Sequence, residues 1–62
     1  MTEVKITNGE PNDDEVSEVL ETGVVERFER AGDEALVVLD TGEAVRFKAH
    51  GGELIVELAE AV

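Results

Sequence analysis

The chain of 62 residues is 42% hydrophobic, contains no Cys, and carries 16 Asp and Glu against 5 Lys and Arg, for a formal net charge of −11. Its length corresponds to a single small domain, and its apolar content is too high for a disordered chain. The absence of Cys excludes a disulfide framework and a thiolate zinc site, and no apolar run reaches the roughly 18 residues of a membrane-spanning helix.

The first strand is predicted from Met1 to Thr7. Val4 and Ile6 alternate there with polar residues, and this period of two is typical of a strand. Residues 8–12 contain Asn, Gly and Pro and interrupt the pattern, so the strand is expected to end before them.

A short helix is predicted over residues 13–21, where apolar residues recur at helical spacing. Asn12 or Asp13 is expected to cap its N-terminus, and Gly23 is expected to end it in the left-handed conformation. About nine residues form a marginal helix in isolation, so a flexible acidic arm over residues 12–22 stays open as the alternative. The apolar stripe consists of Val16, Val19 and Leu20.

From residue 23 to residue 59 the sequence predicts a meander of four strands. Residues 24–29 alternate, and a turn over residues 31–33 leads into the continuous apolar run 35–39. Because that run is apolar at every position, it is expected to be the central strand, with both faces covered.

Two tight turns frame the last two strands. The turn from Asp40 to Glu43 is expected to place Gly42 at positive φ and to use the Asp40 side chain as an acceptor for the turn backbone. Residues 50–52 form the second turn, and residues 60–62 are expected to fray. Between the turns, the side chains expected to point inward are Val45, Phe47 and Ala49, and those expected to point outward are Ala44, Arg46 and Lys48. In the final strand the apolar side consists of Leu54, Val56 and Leu58.

These elements predict a mainly β fold of the β+α class. It is expected to be a four- to five-stranded antiparallel meander, or a small open barrel, with one short N-terminal helix. The strand and helix of residues 1–22 and the meander of residues 23–59 belong to one domain, residues 1–62.

Three short motifs lie close together between residues 23 and 43. They are a V-x-R-F-E segment, an A-x-V-x-L strand and a D-x-G-E hairpin, formed by Val25, Arg27, Phe28, Glu29, Ala35, Val37, Leu39, Asp40, Gly42 and Glu43. This part of the chain resembles a family of very small bacterial and archaeal proteins of unknown function. The resemblance implies a compact β-barrel-like domain and carries no known activity or site. Residues 49–52 depart from the family's pattern, which has a proline and a Gly-Asp pair there.

Residues 4–7 form a strand segment that contains Lys5. This segment is also similar to the first strand of swapped-hairpin antitoxin and transition-state regulator domains, which are short and dimeric. That resemblance implies a nucleic-acid-associated regulatory module, in which Pro11 stands for the Pro-centred segment of those domains. Their basic DNA-facing residues are missing, which leaves Arg27, Arg46 and Lys48 as the cations for such a role.

Arg46 and Lys48 are expected to share the outward face of one strand, with Arg27 on an adjacent strand, as the one basic patch that the sequence offers. Three neighbouring cations could hold phosphates. Barrels that bind single strands add stacking aromatics, however, and Phe28 and Phe47 alternate toward the expected core. The competing interpretation is that the cations form cross-strand ion pairs. The carboxylates considered for these pairs are Glu26, Glu29 and Glu57.

His50 is the single histidine, and the two glycines after it could present it as a base near neutral pH. No hydroxyl residue lies in a motif that would make it the nucleophile for that base. One His without Cys excludes the common zinc patterns, and the acidic residues 13–15 lack the spacing and the glycine of a calcium loop. The sequence therefore predicts no catalytic, cofactor or metal site. The candidate partner-binding residues are Arg27, Arg46, Lys48 and His50.

The carboxylates are dispersed from Glu3 to Glu60 and do not form an acidic tail. The Debye length is about 10 Å at about 0.1 M salt and about 3 Å at about 1 M, so concentrated salt is expected to relieve the repulsion among them. The composition therefore predicts a protein of an extreme halophile, with an acidic protein that binds a basic partner as the alternative. Residues 1–10 lack the basic and apolar regions of a signal peptide, so a cytoplasmic location is expected.

The expected function is that of a small non-enzymatic module that binds another macromolecule or its own copy, most directly as a homodimer. A core of this size without disulfides rarely contributes more than about 3–5 kcal/mol, and pairing through an edge strand or an apolar sheet face adds buried area. The alternative is a nucleic-acid-associated or antitoxin-like regulatory module that uses Arg27, Arg46 and Lys48. No cofactor and no membrane partner are expected.

Overall fold

The computed structural model describes residues 2–62, which form a five-stranded antiparallel sheet and one short helix. The elements in chain order are β1 (Val4–Asn8), α1 (Asp13–Thr22), β2 (Val25–Ala31), β3 (Glu34–Leu39), β4 (Glu43–His50) and β5 (Glu53–Ala61). The strands lie side by side in the order β1-β5-β4-β3-β2, and the sheet stays open between β1 and β2. The prediction of a mainly β antiparallel fold with a short N-terminal helix is confirmed, in the form of an open sheet. Within residues 2–62, no helix has the length and apolar character needed to cross a membrane.

Because β1 pairs with β5, the centre of the sheet is β4 and not β3. Val4 lies opposite Ala61 and Lys5 lies opposite Glu60. The expectation that residues 60–62 fray is therefore wrong for residues 60 and 61, because β1 supplies backbone partners for this end of β5. The prediction that β3 is the central strand is also wrong, since β1 adds a strand beyond β5 and leaves β4 in the middle.

One face of the sheet, which we call the inner face, carries a cluster of buried apolar side chains. The cluster consists of Leu36, Val38, Ala44 and Ala59, and Val4, Ile6 and Ala61 pack against it. Thr2, beside β1, donates hydrogen bonds to Glu29 of β2 on this side. Because β1 and β2 are the two edges of the sheet, this contact means that the sheet curls around its inner face.

The opposite face, which we call the helix face, is covered in part by α1. Its buried side chains are Leu39, Val45 and Leu58. The apolar run of β3 thus has buried side chains on both faces, as predicted. The inward and outward pattern predicted for β4 is wrong at three positions, because Ala44 is fully buried, Arg46 is half-buried and Ala49 is exposed. The first half of β4 is covered on both faces, by the cluster on one side and by α1 on the other.

A capping box formed by Asn12 and Glu15 starts α1. The Asn12 side chain accepts a hydrogen bond from the Glu15 amide at 2.8 Å, and the Glu15 carboxylate accepts one from the Asn12 amide at 3.2 Å. The predicted helix and its Asn12 cap are confirmed, and the alternative of a flexible arm over residues 12–22 is wrong. The apolar stripe of α1 faces the sheet, where Val16 lies beside Val56 and Val19 beside Leu58.

Gly23 follows α1 in an extended conformation, with φ −142° and ψ 174°, so the expectation of a left-handed helix stop is wrong. Glycine is needed at this position because the backbone of residue 23 lies close to the side chains of Asp40 and Thr41. A Cβ at this position would lie 3.0 Å from Asp40 Oδ1 and 3.0 Å from Thr41 Cγ2. A side chain would therefore separate the end of α1 from the turn between β3 and β4.

The turn between β3 and β4 confirms one prediction and corrects another. Gly42 has a φ of +92°, and its amide donates to the Leu39 carbonyl at 3.0 Å. The Asp40 side chain does not serve the turn backbone as predicted, since it accepts a hydrogen bond from the Val24 amide at 3.0 Å. Thr41 takes the predicted role, because its hydroxyl accepts from the Glu43 amide at 3.2 Å. Asp40 instead ties this turn to the start of β2.

Candidate functional site

Arg46 lies on the inner face and is held by a carboxylate on the neighbouring strand. It stands directly opposite Glu57 of β5, and its Nε and Nη2 atoms donate to Glu57 Oε1 at 2.9 and 2.6 Å. Both side chains are largely buried, with 29% and 18% of their surfaces exposed. The prediction that Arg46 points outward is wrong, because the curled sheet turns its face inward. Arg46 and Glu57 form a cross-strand ion pair, which is the competing interpretation given above for the cations.

Arg27 belongs to a corner where the two edges of the sheet meet. The Thr2 amide and hydroxyl donate to the two Glu29 oxygens at 2.6 and 2.8 Å. Arg27 Nη1 donates to the Thr2 hydroxyl at 2.7 Å and lies 3.6 Å from Glu29 Oε2. The hydrogen bond from the Thr2 amide and then that from its hydroxyl lower the pKa of Glu29, burial opposes them, and the charge of Arg27 adds a smaller lowering effect. The charge of Arg27 is thus balanced within the chain.

Lys48 and His50 are exposed and lie toward the far end of β4. Lys48 stands between Glu34 of β3 and Ile55 of β5, and His50 stands opposite Glu53 across a two-residue turn.

The structure does not gather the four candidate residues into one basic patch. Arg46 and Lys48 are two positions apart on β4, as predicted, but Arg27 is separated from them by β3. Carboxylates lie beside or between the cations at each step, and they are Glu29, Glu34 and Glu57. This surface therefore alternates in charge, which is the pattern of cross-strand pairing and not that of a phosphate-binding patch.

An exposed apolar surface on the helix face is the main feature that sequence reasoning missed. Phe28 is 63% exposed and Leu54 is 66% exposed, although the alternation predicts that Phe28 points into the core. Beside them on this face lie Ala49, which is exposed, and Ala35 and Phe47, which are half-buried. We call the surface formed by these five residues the open patch.

The geometry of α1 explains why the open patch stays uncovered. α1 runs along β4 and β5, since Val16 lines one cleft with Val56 and Val19 lines another with Leu58. An α-helix is about 10 Å wide, whereas the outer strands of a five-stranded sheet lie about 19 Å apart, so α1 does not extend to β2. The prediction of a single helix beside a sheet of up to five strands was the available signal that part of one sheet face would stay exposed.

Strand β2 is the edge of the sheet next to the open patch. Of its seven residues only Glu29 is partly buried. Its charged residues are Glu26, Arg27, Glu29 and Arg30, which sum to zero in a chain of net charge −11. Two of the five cations of the chain therefore lie on this one strand. Because its own charges cancel, β2 repels another acidic molecule less than the net charge of the whole chain would suggest.

Within the part of the chain that the structure describes, no group of three or more His, Cys, Asp or Glu side chains is arranged to hold a metal ion. The chain matches no protein-family model, no curated protein and no solved structure, so its function has to be inferred from its own residues.

Proposed function

We propose that the chain is a non-enzymatic interaction module that binds a second copy of itself in concentrated salt. The observation that carries this proposal is Phe28, an aromatic side chain 63% exposed at the middle of edge strand β2. An edge strand presents unpaired backbone amides and carbonyls, and natural proteins usually protect such an edge with charges, Lys or Pro. β2 has neither Lys nor Pro, its four charged residues cancel, and its middle residue is Phe28.

The small core supports the same proposal. The buried apolar side chains among residues 2–62 are Leu36, Val38, Leu39, Ala44, Val45, Leu58 and Ala59, and two of these are alanines. A core of this size contributes little stability, and covering exposed aromatic and aliphatic side chains with a second copy adds about 25 cal/mol for each Å² of apolar surface buried.

The charge of the chain sets the conditions in which the copies can meet. Two chains of net charge −11 repel each other at low salt, where the Debye length of about 10 Å is comparable with their 10.8 Å radius of gyration. At about 1 M salt that length falls to about 3 Å, and only charges in direct contact still interact. Self-association through β2, whose own charges cancel, is consistent with a halophilic host.

Light scattering after size-exclusion chromatography tests the proposal. We expect a dimer at about 2 M KCl and a monomer at about 0.1 M KCl. Phe28→Ser should weaken dimerisation by about tenfold or more, because a buried aromatic at the centre of an interface contributes about 1.4 kcal/mol or more. Val62→Ser is the matched control, since Val62 is 86% exposed and lies beside β1 at the other edge. A monomer at every salt concentration, up to millimolar protein, would overturn the proposal.

The nucleic-acid alternative has less support. Arg46 is occupied by Glu57, and the three candidate cations stand on the inner face, whereas exposed Phe28 stands on the helix face. A single strand bound by the cations would have no exposed aromatic beside them on which to stack its bases.

A further inference from the structure

We infer that the two copies pair along β2 in one antiparallel register, with Phe28 of each chain opposite Phe28 of the other. This inference rests on the self-association proposed above and specifies the surface and the register that make it. It is carried by the order of charges along β2 and by the direction in which the free backbone groups of that strand point.

The charges of β2 are arranged with opposite signs about Phe28. The strand runs from Val25 to Ala31, so Phe28 is its middle residue. When a second β2 lies antiparallel with Phe28 opposite Phe28, Arg27 faces the partner's Glu29, and Glu26, which lies in the β-bulge, comes nearest to the partner's Arg30. Two-fold symmetry repeats both contacts, so each charged residue of the strand has an opposite charge as its nearest charged neighbour on the partner strand.

The neighbouring registers bring like charges together. Side chains alternate between faces, so a symmetric pair can slip only by steps that keep each face matched. One such step places Arg27 opposite the partner's Arg27, and the step in the other direction places Glu29 opposite the partner's Glu29. Like charges directly opposite each other destabilise a strand pair. The sequence of β2 therefore favours one register and disfavours the two beside it.

The backbone of β2 is oriented to accept this partner. Ala31 and Glu34 flank a two-residue turn, and such a pair is joined by backbone hydrogen bonds. Bonded and non-bonded pairs alternate along an antiparallel ladder, so Arg30 and Phe28 direct their amides and carbonyls away from β3. The Phe28 amide can then donate to the partner's Phe28 carbonyl, and the Phe28 carbonyl can accept the reciprocal bond from the partner's Phe28 amide. The β-bulge between Val25 and Arg27 falls at Glu26, so the regular part of the strand runs from Arg27 to Ala31 and has Phe28 within it.

The contacts already made by Arg27 and Glu29 are compatible with a partner strand. Thr2 reaches the Glu29 carboxylate, and within residues 2–62 no backbone hydrogen bond joins Thr2 to β2. Arg27 uses Nη1 for Thr2, and a guanidinium has five N–H donors, so it can also donate to the partner's Glu29.

Edge strand β1 is less suited to the same role. It has five residues against seven in β2, and it carries the exposed residue Lys5. A short strand and a lysine are both devices that block pairing at an edge.

Two single variants that rescue each other test the register. In Glu26→Arg, two arginines face each other on both sides of the symmetry axis, and in Arg30→Glu, two glutamates do. We expect each variant alone to dimerise about tenfold more weakly than the unmodified chain, at the lowest KCl concentration that keeps the latter dimeric. When the two variants are mixed, both contacts become attractive again, and a heterodimer of unmodified affinity is expected. Far-ultraviolet circular dichroism confirms that each variant is folded.

Disulfide formation gives a second test, because the chain contains no Cys. Residues in a bonded antiparallel pair have Cα atoms about 5.5 Å apart, which is within the range of a disulfide, so Phe28→Cys should cross-link the dimer under mild oxidation. Leu54→Cys, on the open patch but away from β2, is the matched control and should stay uncross-linked.

The outcomes separate this inference from the proposed function. A dimer that cross-links through Leu54→Cys but not through Phe28→Cys overturns the β2 register and leaves self-association standing. The register is equally wrong when the mixed charge variants fail to form a heterodimer although the unmodified chain dimerises. An unmodified chain that is monomeric in all salt concentrations overturns both.

Discussion

Gly23 lies where the end of α1 comes closest to the turn between β3 and β4. A Cβ at this position would approach Asp40 Oδ1 and Thr41 Cγ2 to 3.0 Å and Leu39 Cβ to 3.3 Å. The Leu39 side chain is fully buried, and the Asp40 carboxylate holds the Val24 amide, so neither neighbour can move freely.

We expect Gly23→Ala to destabilise the fold by about 1–3 kcal/mol, because overpacking forces the turn away from α1. Urea denaturation followed by circular dichroism measures this change. Gly9→Ala is the matched control, since its nearest neighbour would be Glu57 Oε2 at 4.0 Å and Gly9 does not have a positive φ. That control should be neutral or stabilise by about 0.4–1 kcal/mol. Equal effects of the two substitutions would contradict the packing argument.

Glu29 makes the stability of the chain depend on pH at the corner where β1 and β2 meet. Its pKa lies below the ordinary value of 4.5 because of the Thr2 amide, the Thr2 hydroxyl and the Arg27 charge. A carboxyl whose pKa is lowered by folding stabilises the native state above its unfolded pKa and loses that contribution as the pH falls through its folded pKa.

We expect Glu29→Gln to be less stable than the unmodified chain at pH 6 and the difference between them to shrink below pH 4.5. Urea denaturation of both chains across this pH range measures the difference, which removes the background of the other carboxylates. A carboxyl titration by NMR should show Glu29 with a midpoint below 4.5. A difference that stays constant with pH would show that Glu29 contributes nothing through its charge.

Among the elements, α1 depends most on its own termini. It has ten residues and no fully buried side chain, so the capping box contributes a large share of its stability.

We expect Asn12→Ala to destabilise the fold by about 1 kcal/mol and to reduce helical ellipticity at 222 nm, because the Glu15 amide loses its acceptor. Asn12→Asp is the matched control, since its carboxylate can accept the same hydrogen bond and is favoured at the positive end of the helix dipole. An Asn12→Ala chain with unchanged stability would mean that α1 adds nothing to the fold.

The turns of the meander and the helix cap could be predicted from sequence because both are local. Residues close by in the chain determine these conformations, as the turn glycines Gly42, Gly51 and Gly52 and the helix cap Asn12 show. The neighbour of β1 could not be predicted in this way, since the pairing of Val4 with Ala61 spans almost the whole chain. The errors at Phe28 and Arg46 follow from this, because the exposure of a strand position depends on which strand is an edge and on how the sheet curls.

For the whole molecule, the dispersed net charge of −11 is the main electrostatic contribution that opposes compaction. The extents of 31 × 26 × 17 Å place all the carboxylates within a few Debye lengths of one another at low salt.

We expect the melting temperature to rise by about 10 °C between about 0.1 M and about 2 M KCl, which corresponds to a stabilisation of about 2 kcal/mol. The measurement uses the Phe28→Ser chain, so that dimerisation does not add to the effect. A variant in which four exposed carboxylates become amides should have a smaller dependence on KCl. The four are Glu3, Glu18, Glu21 and Glu53. A melting temperature that does not change with KCl concentration would contradict the halophilic interpretation.

The candidate site was only partly accessible from composition and alternation. The pairing of Arg46 with Glu57 could be foreseen as one of two possibilities, because it joins residues on adjacent strands of the meander. The corner formed by Thr2, Arg27 and Glu29 could not, since it joins the two edges of the sheet through curvature that no pattern of alternation encodes.

The pairing of β1 with β5 also governs the order in which the structure comes apart. The hairpins from β2 to β5 close over short turns, whereas β1 is joined to β5 only by closing a loop that contains the rest of the chain. Loop closure costs more conformational entropy as the loop lengthens, and such long-range contacts form late in folding. We therefore expect β1 to detach before β3 and β4 separate, and its amides to exchange with deuterium before those of β3 and β4.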